Sequence, residues 1–285
     1  MGFRVIKGTF HVVGYSPDGD SLRFMAANED NWDLLGGPPQ LAINSKKHVQ
    51  LRLEAIDTLE THFSAPGGTL HQPPLFADAA TDFLLAGVGV TGVVWNPNRT
   101  KVTAAADGTP GYILSRQKDS NGRPISFVFA GDTADADGAD VFFDTTRLKG
   151  SLNYKSIVGG HAYATFYTGL FSDLRAEMAA AVAAARAANV GLFAADKTTL
   201  GFNVGSLAAI TDMHVVMPKL FRRLAEYIAG DTTPDLSGFK DFLEAKNEQV
   251  LDLTTMNFTH FDDLVEVVGQ TVRLLVAPEH MVFKE

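Results

Sequence analysis

The fourteen residues His48–Thr61, HVQLRLEAIDTLET, constrain this chain more than any other stretch. Val49, Leu51, Leu53 and Ala55 alternate with Gln50, Arg52 and Glu54, the period-two pattern of a strand with one face buried. The pattern then breaks, and Asp57, Thr58 and Glu60 follow within four positions. A strand end can present such a polar cluster without burying it unpaired, so a sheet must form around this run.

Further short strands are available to build that sheet. Residues 9–15 and 21–26 read as two strands joined by the turn Pro17-Asp18-Gly19-Asp20, and Asp-Gly is a favoured hairpin dipeptide. Residues 88–95, 111–115 and 124–129 are apolar strand candidates, the last two separated by the turn Asp119-Ser120-Asn121-Gly122-Arg123. Residues 27–47 and 97–110 read as enlarged loops, the first with a short helical piece at Asp30–Leu35. A helix is expected over Pro74–Leu85, with Leu75, Ala79 and Phe83 on its packed face. Several short strands followed late by a helix suggest a small five-stranded barrel of the OB type, hence an α+β chain.

Beyond the strands the pattern turns helical. Residues 148–157 have helical spacing, and residues 170–190 form an alanine-rich helix with Ser172 as its expected cap and Leu174, Met178, Val182 and Ala185 as its packing stripe. From residue 197 on, three more helices are expected. The first is Ser206–Ala229, kinked near Pro218. The second is Asp235–Gln249, started by Thr233-Pro234. The third is capped by Thr259 and runs through Leu264, Val268, Val272 and Leu275. This divides the chain into a domain over residues 1–196 and a helical extension over residues 197–285.

Composition narrows the chemistry. There is no cysteine, which excludes disulfides, thiolate metal sites and cysteine nucleophiles. The net charge is −9, with −1 over residues 1–130, −3 over 131–196 and −5 over 197–285. No global field draws in a polyanion, so attraction must be local, from arginines and a bound cation. No apolar run approaches the ~18 residues of a membrane span. The first thirty residues lack a continuous apolar core and a small-residue cleavage site, so the chain as given reads as cytoplasmic, or as a mature form already trimmed. The eight histidines show no metal-binding spacing, although His62 abuts Glu60. Asp135, Asp137, Gly138 and Asp144 echo a calcium loop, for which a solvated turn is the default.

The polar residues around the central strand make a phosphodiester-cleaving set. Asp20 and Asp57 offer hard oxygens to a divalent cation, which polarises phosphate and orients water. Glu60 is placed to act as a general base. Arg52 and Arg123 suit bidentate contact with phosphate oxygens, which strengthens as charge develops. Taken singly, each is more often a turn or surface residue; their joint order is the signal.

That order, Asp18-Gly19-Asp20-Ser21, then Arg52-Leu53 with Ile56-Asp57-Thr58-Leu59-Glu60-Thr61, then Asn121-Gly122-Arg123, resembles the staphylococcal nuclease (thermonuclease) family over roughly residues 10–196. The resemblance implies calcium held by Asp20, Asp57 and the main-chain carbonyl of Thr58, and catalysis by Arg52, Glu60 and Arg123. It implies a calcium-dependent, sugar-non-specific endonuclease acting on single-stranded DNA, RNA and breathing duplexes and leaving 3′-phosphate ends. Leu59 stands where the family has proline, and Ser120 and Asn121 where it has lysine and tyrosine. The rival expectation is a nuclease-like scaffold that binds nucleic acid or protein with little catalysis. Residues 197–285 have no counterpart in the minimal family domain and are expected to bind a protein partner or a second copy.

Overall fold

The run from Val49 to Leu53 supplies both margins of the main sheet. In the computed structural model, which describes residues 2–231 and 233–284, the chain divides into two compact units. One is Met1–Glu54 with Thr81–Ser156; the other is Ala55–Ala80 with Ile157–Glu285. The fold is α+β.

The sheet of the first unit runs Val49–Gln50, Arg23–Ala26, Phe3–His11, Thr109–Lys118, Pro124–Ala130, Arg52–Leu53, and Asp140–Val141 adds a seventh strand against the start of Phe3–His11. Neighbours on this path are antiparallel except the last pair. Only Leu51 separates the two edge strands in sequence. Its N–H donates to the Leu22 carbonyl, the Leu53 N–H to that of Asp20 and the Glu54 N–H to that of Ser126, each at 2.9 Å. One short segment is thus bonded to the hairpin on one side and to Pro124–Ala130 on the other, and the sheet is nearly closed, like a barrel.

Closure demands tight curvature. Gly8 and Gly111 sit opposite each other in register. A methyl group on Gly8 would strike the Met25 carbonyl and the Phe24 ring; on Gly111 it would strike the Phe10 ring and the Phe129 carbonyl. The space they leave is filled by Phe10 and Phe24, ring centroids 5.1 Å apart, among the buried side chains of Val5, Leu22, Leu51, Ile113 and Phe127. The expected loop at 97–110 also pairs, as Val102–Ala106 against Thr91–Trp95. Asn153 pins the seam. Its Oδ1 accepts from Val128 N–H at 3.0 Å, and its Nδ2 donates to the carbonyls of Glu54 at 2.8 Å and Ser126 at 3.0 Å.

The second unit corrects the helical reading of the last ninety residues. Helices do form at Pro218–Ile228 and Phe239–Lys246, but Pro218 starts the first rather than kinking it, as suits its fixed φ and missing N–H. Neither Thr233 nor Thr259 caps a helix. Residues 257–275 hold three strands and one 3-10 turn, Asp262–Leu264, in place of a helix: Asn257–His260 lies in a sheet with Gln249–Asp252, Met281–Phe283 and Phe166–Tyr167. Val265–Val268 and Thr271–Leu274 form a hairpin around Gly269-Gln270, with Gly269 at φ 59°. Leu264, Val268, Val272 and Leu275 fit a helical spacing, yet the Val265-Glu266-Val267 alternation and a two-residue Gly loop favour the hairpin. The Glu266–Arg273 ion pair at 2.6 Å joins facing positions.

Two helix details also differ from the expectation. The alanine-rich helix is Ser172–Ala187, but Phe171 holds the cap position with no side-chain cap bond. In Pro74–Gly87, Leu75 is exposed and Ala77, Ala80, Leu84 and Leu85 are buried. No helix among the described residues is long and apolar enough to cross a membrane.

Two outcomes follow from these contacts. Asn153→Ala leaves the Val128 N–H without its acceptor and is expected to cost ~2–4 kcal/mol in denaturant unfolding. On Pro218–Ile228, Lys219 lies 2.6 Å from Glu248 Oε1 and Arg223 Nε 2.8 Å from Oε2. Burial works to raise the Glu248 pKa, but the Arg223 hydrogen bonds and Lys219 outweigh it and bring it from 4.5 down to about 2. A depressed folded-state pKa contributes stability above the unfolded value and loses it as pH falls toward the folded one. The urea midpoint of wild type is expected to fall more steeply between pH 4.5 and 2 than that of Glu248→Gln, the two curves converging at the acid end.

Candidate functional site

The central motif is divided by the chain itself, since Arg52 belongs to the first unit and Asp57, Thr58 and Glu60 to the second. In the first unit, Asp20 leaves the Asp18–Ser21 turn, and its carbonyl accepts from Leu53 N–H at 2.9 Å, which sets it beside the strand carrying Arg52.

Arg52 and Arg123 meet on a residue that the sequence showed only as part of a turn. The Asp119 carboxylate is buried. Its Oδ1 accepts from the backbone N–H groups of Asn121 at 3.0 Å and Arg123 at 2.9 Å, so it ties its own turn. Its Oδ2 accepts from Arg123 Nε at 2.8 Å, with Nη2 at 2.7 Å, and lies 3.9 Å from Arg52 Nη1. Gly122 at φ 77° closes the turn in a conformation that side chains disfavour. Two guanidinium groups, each about a third exposed, therefore share one buried carboxylate. The cluster brings two guanidinium groups, the group type that takes phosphate oxygens in bidentate fashion, onto one carboxylate.

In the second unit, Ala55 turns the chain through φ 65°, and Ile56–Asp57 then pairs with Tyr163–Ala164. Asp57 and Thr58 are buried. Glu60 is fixed through its backbone: its N–H donates to Gln72 Oε1 at 3.2 Å, and its carbonyl accepts from Gln72 N–H at 2.8 Å. Gln72, itself fully buried, donates from Nε2 to the Val216 carbonyl at 2.8 Å. It thus brackets the strand end to the segment that leads into helix Pro218–Ile228.

That helix delivers Arg222 onto both carboxylates. Its Nη1 donates to Asp57 Oδ1 at 3.0 Å and to Glu60 Oε1 at 2.6 Å, and its Nη2 to Asp57 Oδ2 at 2.8 Å. Burial raises the pKa of Glu60; Arg222 opposes this and Asp57 adds to it. Burial works against the charge on Arg222, but Asp57 and Glu60 outweigh it and hold that guanidinium well above its usual pKa. No sequence signal points to Arg222, which lies 162 positions from Glu60 on the polar side of an amphipathic helix.

This arrangement bears on the calcium that the resemblance implies. Among the described residues, no three histidine, aspartate or glutamate side chains gather as a metal-binding group. Both Asp57 oxygens and one of Glu60 are engaged by a guanidinium. So arranged, the pair does not fit a divalent cation: an ion at Asp57 would have to displace Arg222.

The remaining candidates have other partners. Asp135 pairs with Arg147 at 2.7 Å, Asp137 Oδ1 accepts from the Lys7 N–H at 2.9 Å, and Asp144 caps helix Thr145–Gly150, which accounts for the three carboxylates of the calcium-loop echo. His62 Nδ1 lies 2.7 Å from Thr61 Oγ1, and burial lowers its pKa. No protein-family model and no curated protein matches this chain.

Arg222→Met leaves two buried carboxylates side by side and is expected to cost ~3–5 kcal/mol in chemical denaturation at pH 7. Adding Asp57→Asn and Glu60→Gln to that variant is expected to restore most of the loss. A triple variant no better than Arg222→Met would mean that packing, not charge, fixes the arginine.

Proposed function

We propose that this chain is a nucleic-acid phosphodiesterase of the staphylococcal nuclease type, its barrel an OB-type barrel. The observation that carries the reading is the Asp119 cluster, where Arg52 and Arg123 share one buried carboxylate. Such a pair binds phosphate and binds it more strongly as negative charge develops on the oxygens. On this reading Glu60 takes the proton of the attacking water, and its burial moves its pKa in the direction a base working near neutrality needs. Contacts made to phosphate rather than to the sugar suit cleavage of both DNA and RNA; a preference for single strands and 3′-phosphate products are what the family resemblance implies.

Calcium enters as a condition to be tested, because Arg222 occupies the Asp57 and Glu60 oxygens. The same contact favours a second reading, a scaffold that binds nucleic acid without cutting it, since a base engaged by a guanidinium accepts a proton poorly.

The test is cleavage of heat-denatured DNA and of RNA by the full chain, with calcium and with chelator, beside Glu60→Gln and Arg123→Ala. The nuclease reading expects cleavage by wild type and a fall of at least about a hundredfold in each variant. Binding of either substrate with no cleavage in any condition would establish the scaffold instead.

A further inference from the structure

A second feature of the first unit lies away from the Asp119 cluster. A cavity of about 290 Å³ opens beside the Pro17–Ser21 turn, lined by His11, Tyr15, Ser16, Arg23 and Gln50 among others. Arg23 reaches it from the strand Arg23–Ala26, where its backbone pairs with His11 on one side and Gln50 on the other.

The Arg23 guanidinium is short of partners. Its Nη1 makes one long contact, 3.4 Å, to the Ala42 carbonyl, and its Nε is buried with no hydrogen-bond partner. It lies 5.3 Å from the centre of the Tyr15 ring. Among the described residues no carboxylate pairs with it, whereas Arg52, Arg123, Arg147, Arg186, Arg222 and Arg223 each hold one. Burial is the main influence on its pKa and lowers it. A half-buried cation of this kind is costly unless a counter-charge arrives.

The walls are set for such an arrival. The His11 and His48 rings stack at 4.0 Å. The Tyr15 hydroxyl accepts from Asn44 Nδ2 at 2.8 Å and lies 3.0 Å from His48 Nδ1, which ties both rings to one network. Burial holds the His48 pKa down, and nearby His11, Lys46 and Arg23 push it the same way while Asp107 opposes. His11 Nδ1 is oriented by Asp107 Oδ2 at 3.4 Å and its Nε2 meets Thr9 Oγ1 at 2.8 Å.

We propose that this cavity binds a phosphate group, taken by the Nη groups of the Arg23 guanidinium, with the Tyr15 ring flanking it. The chemistry is that of a phosphate monoester or diester; a nucleic-acid strand and free phosphate are the two sources. The site stands whether or not the chain cleaves nucleic acid.

The experiment follows the Arg23 Nε–H resonance of the ¹⁵N-labelled full chain during titration with inorganic phosphate and, separately, with 5′-phosphorylated thymidine dinucleotide. A saturable shift of that resonance is expected with both probes, and binding at least about tenfold weaker in Arg23→Gln, partly rescued in Arg23→Lys. Tighter binding of the dinucleotide would assign the source as a strand; equal binding would assign it as free phosphate. An Arg23 resonance unmoved by either probe in the folded wild type would overturn the proposal, as would binding unchanged in Arg23→Gln. Because the readout is binding at Arg23 and not turnover, failure of the nuclease reading leaves this result intact, and the converse holds.

Discussion

Backbone hydrogen bonding to both sides of Leu51–Glu54 is the constraint on which the barrel depends. A strand at the edge of an open sheet leaves a row of donors and acceptors unmet, and closure removes that liability. Here closure is made by a few bonds, Leu51 to Leu22, Leu53 to Asp20 and Glu54 to Ser126, backed by the Asn153 amide. They hold only if the strands beneath curve tightly, and the glycine pair Gly8–Gly111 with Phe10 and Phe24 packed over it provides the curve. The segment that closes the sheet is also the one that carries Arg52 and leads directly to Asp57 and Glu60. Barrel geometry and polar cluster are therefore consequences of the same run of residues.

The polar clusters share one electrostatic design. Each places buried charge of one sign against a smaller amount of the other. At Asp119 one buried carboxylate serves two arginines. At Arg222 one guanidinium serves two carboxylates, and negative charge is left over. Arg23 has no carboxylate partner among the described residues. Residual charge in a partly desolvated place is a strong attractor for an ion of opposite sign, since screening by water is weak there. A chain with net charge −9 can in this way present local phosphate-binding points that its overall charge conceals.

Much of this was legible in the sequence where the period is short and local. The strand spacing of residues 111–115 and 124–129 needs only two-residue alternation, and Ser172–Ala187 needs only alanine, whereas the strand expected at 9–15 runs Phe3–His11 and the one expected at 21–26 is Arg23–Ala26. The last ninety residues were harder, because Leu264, Val268, Val272 and Leu275 satisfy a helical stripe while the shorter alternation around Gly269 satisfies a hairpin; cross-strand pairing of Glu266 with Arg273 decides it, and pairing is not local. For the candidate site, Asp20, Arg52, Asp57, Glu60 and Arg123 could be picked out as residue types in order. Asp119 was visible as a turn residue but not as the carboxylate that joins two arginines. Arg222 carried no signal, because a partner 162 positions away is set by packing of Pro218–Ile228 and the Gln72 bracket, neither of which leaves a local pattern.

The most direct test of the closure that organises this account is native-state amide hydrogen exchange at Leu51, Leu53 and Glu54. If these bonds hold the barrel shut, their amides exchange only through global unfolding, with the same free energy as Val128 and Ile113 in the sheet interior. Exchange of Leu51 and Leu53 at the rate of surface loops, with Val128 and Ile113 still protected, would mean that the sheet is open at this seam and that another contact holds Arg52 in place.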